Sequence, residues 1–397
     1  METIKKIFSG NIRQYGMVIA LFVLMIFFAI VTKGVLLLPM NVSNLVSQNA
    51  YVLILAVGML FCIITGNVDL SVGSIVALVG AISGIIIVRM GIPFWLGIIF
   101  CIVIGGAVGA FQGWYIAYMR VPAFIVTLAG MLMYRGLTMN FLGGQTISQY
   151  PRGFQFLAQG FVLQSSTIKL PLVEGGISIN ILAILLGIIA SVIYIIFTLS
   201  SQRGKQKYNF EVDPPSVLIL KFIVITIIIN FFTIEFALYK GIPAVLLIIV
   251  ALVVIYTFIA NKTILGRHIY AMGGNEKAAK LSGVKTKKDL FLVYANMGIL
   301  AALAGMIVAA RLNAATPKAG SGFELDAIAA CYIGGASASG GIGTIIGAIV
   351  GGLVMGVLNN GMTILGFSID MQQVVKGAVL LLAVTFDVYS KSKSSVK

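Results

Sequence analysis

Long apolar stretches alternate with short polar ones along the whole chain. Taking charged and Pro/Gly-rich gaps as boundaries gives apolar runs at about residues 16–33, 48–65, 70–88, 94–118, 123–142, 179–199, 217–236, 243–260, 290–310, 326–339, 343–364 and 369–388. At 1.5 Å per residue, about 20 apolar residues reach across a hydrocarbon core roughly 30 Å thick. Runs of this length predict α-helices, because outer-membrane strands would alternate apolar and polar residues over segments of about ten. The run 326–339 is too short to cross by itself and is expected to be broken or re-entrant. The pattern therefore predicts an all-α, polytopic membrane bundle of about 10–12 spans, forming one transmembrane domain over 1–397.

Composition agrees with the pattern. Hydrophobic residues make up 59% of the 397, charged residues 10%, and the mean hydropathy is +1.07; soluble domains approach a quarter charged. The N-terminus has the basic start of a secretory signal, but its apolar stretch is long and no small-residue cleavage site follows, so it is expected to remain as the first span. The net charge of +15 does not point to nucleic acid, because the cations collect in gaps between spans. They cluster at the N-terminus (Lys5, Lys6, Arg13), at 200–207 (Arg203, Lys205, Lys207), at 261–289 (Lys262, Arg267, Lys277, Lys280, Lys285, Lys287, Lys288) and in the tail (Lys391, Lys393, Lys397). Positive charge favours the cytoplasm, which puts both termini inside and the loop 143–178 and segment 311–325 outside. Cys62, Cys101 and Cys331 each stand alone in an apolar run and read as packing residues.

Catalytic chemistry finds little to work with. There is no GxxxxGK[ST] phosphate loop, so this chain is not expected to hydrolyse ATP, and GIGTIIG at 341–347 lacks the strand that a nucleotide fingerprint needs. His268 is the single histidine and reads as a solvated loop residue. Glycines recurring every four residues, Gly105, Gly109 and Gly113 or Gly343, Gly347 and Gly351, offer flat stripes for close helix packing.

The acids are scarce, and one of them stands between two apolar runs, in GNVDLSVGS at 66–74. A mid-membrane acid costs about 2.5–3.5 kcal/mol on insertion scales, so it faces protein or water. Gly66 and Gly73 bracket the stretch, and Asn67, Asp69 and Ser71 can satisfy freed backbone amides. This reads as a capped helix break, whose polar groups could also shape a transport pathway. A second polar break, GSGFELDAIAACYIGGASASGGIG at 320–343, carries Glu324 and Asp326, compatible with two halves of opposite orientation. Glu235, Asp370 and Asp387 read as solvated residues at helix ends.

In the basic segment, Gly273 and Gly274 end a turn, Asn275 is a competent N-cap, Glu276 suits the first turn and Gly283 the C-terminal cap. These signals predict a two-turn helix from Glu276 to Ser282, marginal unless docked on a partner.

The stretch GNVDLSVGSIVALVGA, the run VPAFIVTLAGMLMYRGLT, the loop GRHIYAMGGNEKAAKLSGV and the segment ELDAIAACYIGGASASGGIGTIIGAIVGGLVMGVLNNGM together resemble the membrane permease subunit of carbohydrate-uptake ABC importers, the ribose, xylose and galactose branch. The chain is most similar to the longer xylose or multiple-monosaccharide permeases, since it carries the extra pair 217–236 and 243–260. The resemblance implies a homodimeric pore in the cytoplasmic membrane, a cytoplasmic ATPase subunit that binds ATP and Mg, and an extracytoplasmic sugar-binding protein. It also implies that Gly274, Asn275, Glu276, Ala278, Ala279, Leu281, Ser282 and Gly283 couple to the ATPase. The polar candidates for the pathway or its breaks are Asn67, Asp69, Ser71, Asn140, Gln145, Asn313, Glu324, Asp326, Asn359 and Asn360. The competing reading is a proton- or ion-coupled secondary transporter that titrates Asp69 or Glu324.

Overall fold

The computed structural model describes residues 2–162, 167–170, 177–210, 212 and 214–394. Lys397 and parts of the 143–178 loop lie outside the described residues, as do the side chains of Lys5, Lys6, Arg13, Lys169, Asp387, Lys391 and Lys393. The helices are α1 (Glu2–Val31), α2 (Pro39–Ile64), α3 (Val72–Ser83, continued by π-helical Gly84–Arg89), α4 (Phe94–Ala117), α5 (Ala123–Leu142), α6 (Arg152–Gln159), α7 (Ile181–Lys207), α8 (Pro215–Ala237), α9 (Ala244–Lys262), α10 (Ile264–Gly274), α11 (Glu276–Leu281), α12 (Thr286–Leu312), α13 (Phe323–Ile333), α14 (Ile345–Ile364) and α15 (Ile369–Ser394). Among the described residues, nine helices are long and apolar enough to cross a membrane, and α13, at 11 residues, is not one of them. The protein is a multi-pass membrane protein built from helices.

Proline sets many of the boundaries. Pro39 and Pro215 stand at the first helical positions of α2 and α8, while Pro93, Pro122, Pro151 and Pro243 are the residues before α4, α5, α6 and α9. A missing N–H costs nothing there, because the first turn has no acceptor for it. Left-handed residues end several helices: Gly66 follows α2, Gly143 follows α5 and Asn313 follows α12.

Several boundaries differ from the sequence reading: α1 already begins at Glu2 rather than 16, α13 ends at Ile333 rather than 339, and α15 runs to Ser394 rather than 388. Helix α2 starts at Pro39, nine residues before the expected 48, because the amide-rich NVSNLVSQN is helical. Helix α7 runs on to Lys207, where Lys205 and Lys207 lie in the last turn and favour the negative end of the helix dipole.

Helix α2 lies at the centre, buried almost continuously from Asn49 to Ile64, with α12, α13, α14 and α9 packed around it. Helices α12, α3 and α14 complete the core, whereas α7 and α8 pack mainly on each other with most of their surface exposed. The packing repeats itself: α12 lies on α3 and α4 as α2 lies on α13 and α14, and α5 lies on α3 as α15 lies on α13. In that correspondence, the counterpart of the break at 65–71 is the loop at 313–322, which precedes the Gly/Ala/Ser run expected to match it.

Small residues make the closest contact. A β-carbon on Gly298 of α12 would lie 2.2 Å from the Gly105 carbonyl and 2.8 Å from the Gly109 Cα of α4, so the two backbones touch. The Gly105/Gly109/Gly113 stripe is used as its spacing predicts. In the second stripe, Gly347 and Gly351 meet the backbone of Gly334 and Ala330 of the α13 end, while Gly343 precedes α14 and belongs to the loop. Replacing Gly298 with valine should force α4 and α12 apart and sharply reduce the thermal stability of the detergent-purified protein. The control Gly136→Val, where a β-carbon meets nothing within 4 Å, should change little; equal melting curves for the two variants would contradict the packing account.

Candidate functional site

Helix α2 stops at Ile64, and the next seven residues cross to α3 without regular structure. Inside a membrane such backbone needs protein partners, because lipid offers none. Asn67 donates from Nδ2 to the Thr65 carbonyl at 3.1 Å, holding the turn locally. Asp69 is almost fully buried, and its Oδ1 accepts from the Ser71 amide at 2.9 Å and the Ser71 hydroxyl at 2.6 Å. Asp69 therefore closes the turn into α3, and the Ser71 side chain, expected as a cap, is turned across to α4. There the Gln112 amide donates to the Ser71 Oγ at 2.8 Å. The Tyr294 hydroxyl of α12 donates to the Val68 carbonyl at 3.3 Å, so two neighbouring helices finish what the break leaves open.

The first turn of α3 meets the entry to α13. A β-carbon on Gly73 would lie 2.2 Å from the Gly320 carbonyl and 2.3 Å from Glu324 Oε2. Two helix N-termini, each with partial positive charge, thus converge inside the bundle, and Asp69 on one side with Glu324 and Asp326 on the other compensates them. Arg135 of α5 donates to the carbonyls of Pro317 and Ala319 at 3.2 and 2.7 Å, which holds the 313–322 loop where it dips back to Gly73. Asp326 is buried, takes a 3.0 Å ion pair from Lys376 of α15, and accepts from the Tyr51 hydroxyl of α2 at 2.7 Å. The Tyr51 ring stacks on Phe323, with centroids 3.6 Å apart.

The other pathway candidates are not brought to this junction. Asn313 is the left-handed stop of α12 and accepts from the Tyr150 amide at 2.9 Å, a tether for the 147–150 segment. Asn360 exchanges amide bonds with Asn41, at 2.8 and 3.1 Å, and Asn359 donates to Asn49 at 3.4 Å; both fasten α14 to α2. Such interhelical bonds contribute about 0.6 kcal/mol each on average. Asn140 and Gln145 are exposed, at the end of α5 and just beyond it. Asp370 is exposed in the first turn of α15, as a helix-end acid should be.

The second element of interest is the pair α10–α11. Asn275 caps α11, its side-chain oxygen accepting from the Ala278 amide at 3.0 Å, Glu276 occupies the first turn and Gly283 is left-handed just past the end. Ala279 is buried against the protein, whereas Gly274, Glu276, Ala278, Ser282 and Leu281 are exposed, Leu281 at 90%. An isolated leucine held in the open beside Ala278 gives α11 an unpartnered apolar face. The helix ends at Leu281, one residue short of the expected Ser282.

Helix α10 ties this face to the breaks. A β-carbon on Gly273 would lie 1.8 Å from the Ile64 carbonyl and 2.5 Å from the Gly341 amide. Those two groups are themselves joined, the Gly341 N–H donating to the Ile64 carbonyl at 2.8 Å. Tyr270 donates to the Gly343 carbonyl at 2.7 Å. His268 Nδ1 lies 2.8 Å from Oδ2 of the buried Asp289, which joins α10 to the first turn of α12 and corrects the reading of a merely solvated histidine. One short helix thus bears on the end of α2, on the loop before α14 and on α12.

Broken helices and a buried polar junction within a multi-pass helical bundle fit a membrane transport protein. The chain belongs to the family described as the permease component of the branched-chain amino acid transport system, whose model matches residues 41–384. It is 39% identical over 388 residues to the xylose transport system permease protein of Haemophilus influenzae, covering 98% of this chain and 99% of that one. It is 38% identical over 392 residues to the corresponding protein of Escherichia coli, with 98% and 95% covered. With the ribose import permease protein of Bacillus subtilis it shares 34% over 382 residues, 96% and 94% of the two chains. No solved structure matches it.

Sequence reasoning missed Gln112, Arg135, Tyr51 and Lys376. Two of them had a signal: each cation is followed by glycine inside an apolar run, Arg135-Gly136 and Lys376-Gly377, and a lone cation in a span requires a partner. The ion pair is open to a direct check. Lys376→Met leaves Asp326 buried without its cation, a loss of about 3–5 kcal/mol for a buried pair with one partner removed, and should lower the melting temperature. Reversing the pair, Lys376→Asp with Asp326→Lys, should recover part of it; a double variant as unstable as the sum of both singles would dissolve the pairing.

Proposed function

We propose that this chain is the permease subunit of an ATP-driven importer that carries monosaccharides of the xylose, galactose and arabinose kind across the cytoplasmic membrane. The observation that carries the proposal is the seating of α10, where the Gly273 backbone is wedged between Ile64 and Gly341. A displacement of α11 is therefore passed to the end of α2 and to the loop before α14 at once. The near full-length similarity to permeases named for xylose and ribose supports the substrate class.

In this reading the basic segment 261–289 and both termini face the cytoplasm, and the long loop 143–178 lies outside. A separate ATPase subunit, holding ATP and Mg, takes Leu281 and Ala278 into a groove, with Lys277 and Lys280 beside them. Two copies of the chain form the pore, and a binding protein delivers the sugar from outside. Closing of the ATPase pulls α11, α10 moves Ile64 and the 340–343 turn, and the junction of α3 with α13 opens to the other side. The quartets α2–α5 and α12–α15 are two inverted copies that rock against each other. Asn67, Asp69, Ser71 and Glu324 supply the hydrogen-bonding groups that a neutral sugar meets; Asn313, Asn359 and Asn360 hold the walls. An ion-coupled mechanism, which would titrate Asp69 or Glu324, is less well supported at Asp69, whose carboxylate is already engaged by the amide and hydroxyl of Ser71.

The test is uptake of labelled xylose into proteoliposomes containing the permease and its ATPase, with binding protein outside and ATP inside. Accumulation should persist with a protonophore and stop without the ATPase. Ala279→Pro should retain the assembled complex and ATP hydrolysis yet lose most uptake. Accumulation driven by a proton or sodium gradient without the ATPase would overturn the proposal.

A further inference from the structure

A groove of about 460 Å³ lies between helices α1 and α8. Phe22, Ile26 and Ile30 form one wall at helical spacing, Ile227 and Phe231 the other, and Leu37 closes one end. These wall residues are exposed, and the groove opens on the outer, lipid-facing side of the bundle. No polar side chain lines it, so it offers water nothing to bond. Its walls also lack the glycines that bring helix backbones closest in this bundle. Close helix packing in membranes uses small residues, as Gly105 and Gly298 do in this bundle, whereas the groove is walled by phenylalanine and isoleucine.

Lys33 comes three residues after the groove residue Ile30. Helix α1 is stopped by a left-handed turn at Lys33 and Gly34, whose amides donate to the carbonyls of Ile30 and Ala29, both groove residues. Lys33 is exposed there and has no ion pair among the described residues. Lys33 is the first charged residue after the apolar stretch Gly16–Val31 of α1, so its ammonium group belongs at the polar edge of that stretch.

We infer that the α1–α8 groove is a binding site for an anionic phospholipid, with an acyl chain lying between Ile26 and Phe231 and the phosphate at Lys33. The site fills the gap between the first helix and the peripheral pair α7–α8, so that the pair is joined to the bundle partly through lipid. The inference does not depend on which solute the protein carries.

Native mass spectrometry of the full-length protein, delipidated in detergent and titrated with dioleoyl phosphatidylglycerol or phosphatidylethanolamine, tests it. One lipid per chain should survive activation that strips the rest, with phosphatidylglycerol favoured about five-fold, the effect of a single lysine near an anionic headgroup. Lys33→Gln should abolish the preference and keep the binding, and Ala29→Trp should remove the bound lipid by filling the groove. If Ala29→Trp misfolds, Phe231→Ala, which widens the groove, should shorten retention instead. No retained lipid, equal retention by the groove variants, or a dimer of this chain that Ala29→Trp converts to monomer would each overturn the inference.

Discussion

Every peptide group that leaves a helix inside a membrane must find another partner, and this protein breaks its helices there repeatedly. The rest of the interior follows from that constraint. Asp69, Ser71, Gln112 and Tyr294 absorb the break after α2, and Arg135 takes two carbonyls of the 313–322 loop. Tyr51 and Lys376 hold Asp326 at the start of α13. Each is an expensive residue to place among apolar neighbours, and each is spent on a place where the backbone is irregular. The junction is consequently polar and largely partnered, with the buried Ser74 hydroxyl in the first turn of α3 left over.

The fold was largely legible because the bilayer imposes its length on each span and proline marks where spans begin. The errors came where the deciding partner is far away in sequence. The amides of NVSNLVSQN read as a gap until Asn360, 319 residues from Asn41, is seen to engage them. Lys376 looked like nothing in particular because its acid lies 50 residues earlier on another helix. By contrast α11 was readable almost to the residue, since Asn275, Glu276 and Gly283 act on their immediate neighbours. Local chemistry is visible in a sequence; pairing across a fold is visible only as an unexplained polar residue in an apolar run.

The periphery obeys a looser rule. Helices α7 and α8 satisfy each other through Asn230 and Ser191, at 3.0 Å, and through the seat that Gly187 leaves for Thr233. They are exposed on most of the remaining surface, so the bundle can carry them without rearranging its centre. A core of touching backbones therefore coexists with an edge built from bulky aliphatic side chains.

The joint of Gly273, Ile64 and Gly341 consists of main-chain atoms alone. A linkage made this way has no side chain through which selection can strengthen or weaken it by degrees. Exchanging side chains elsewhere leaves its atoms unchanged, whereas a single carbon added at Gly273 would meet the Ile64 carbonyl. In the proposed reading, the groups that meet the solute and the joint that moves them are therefore separate parts, and the first can change without altering the atoms of the second.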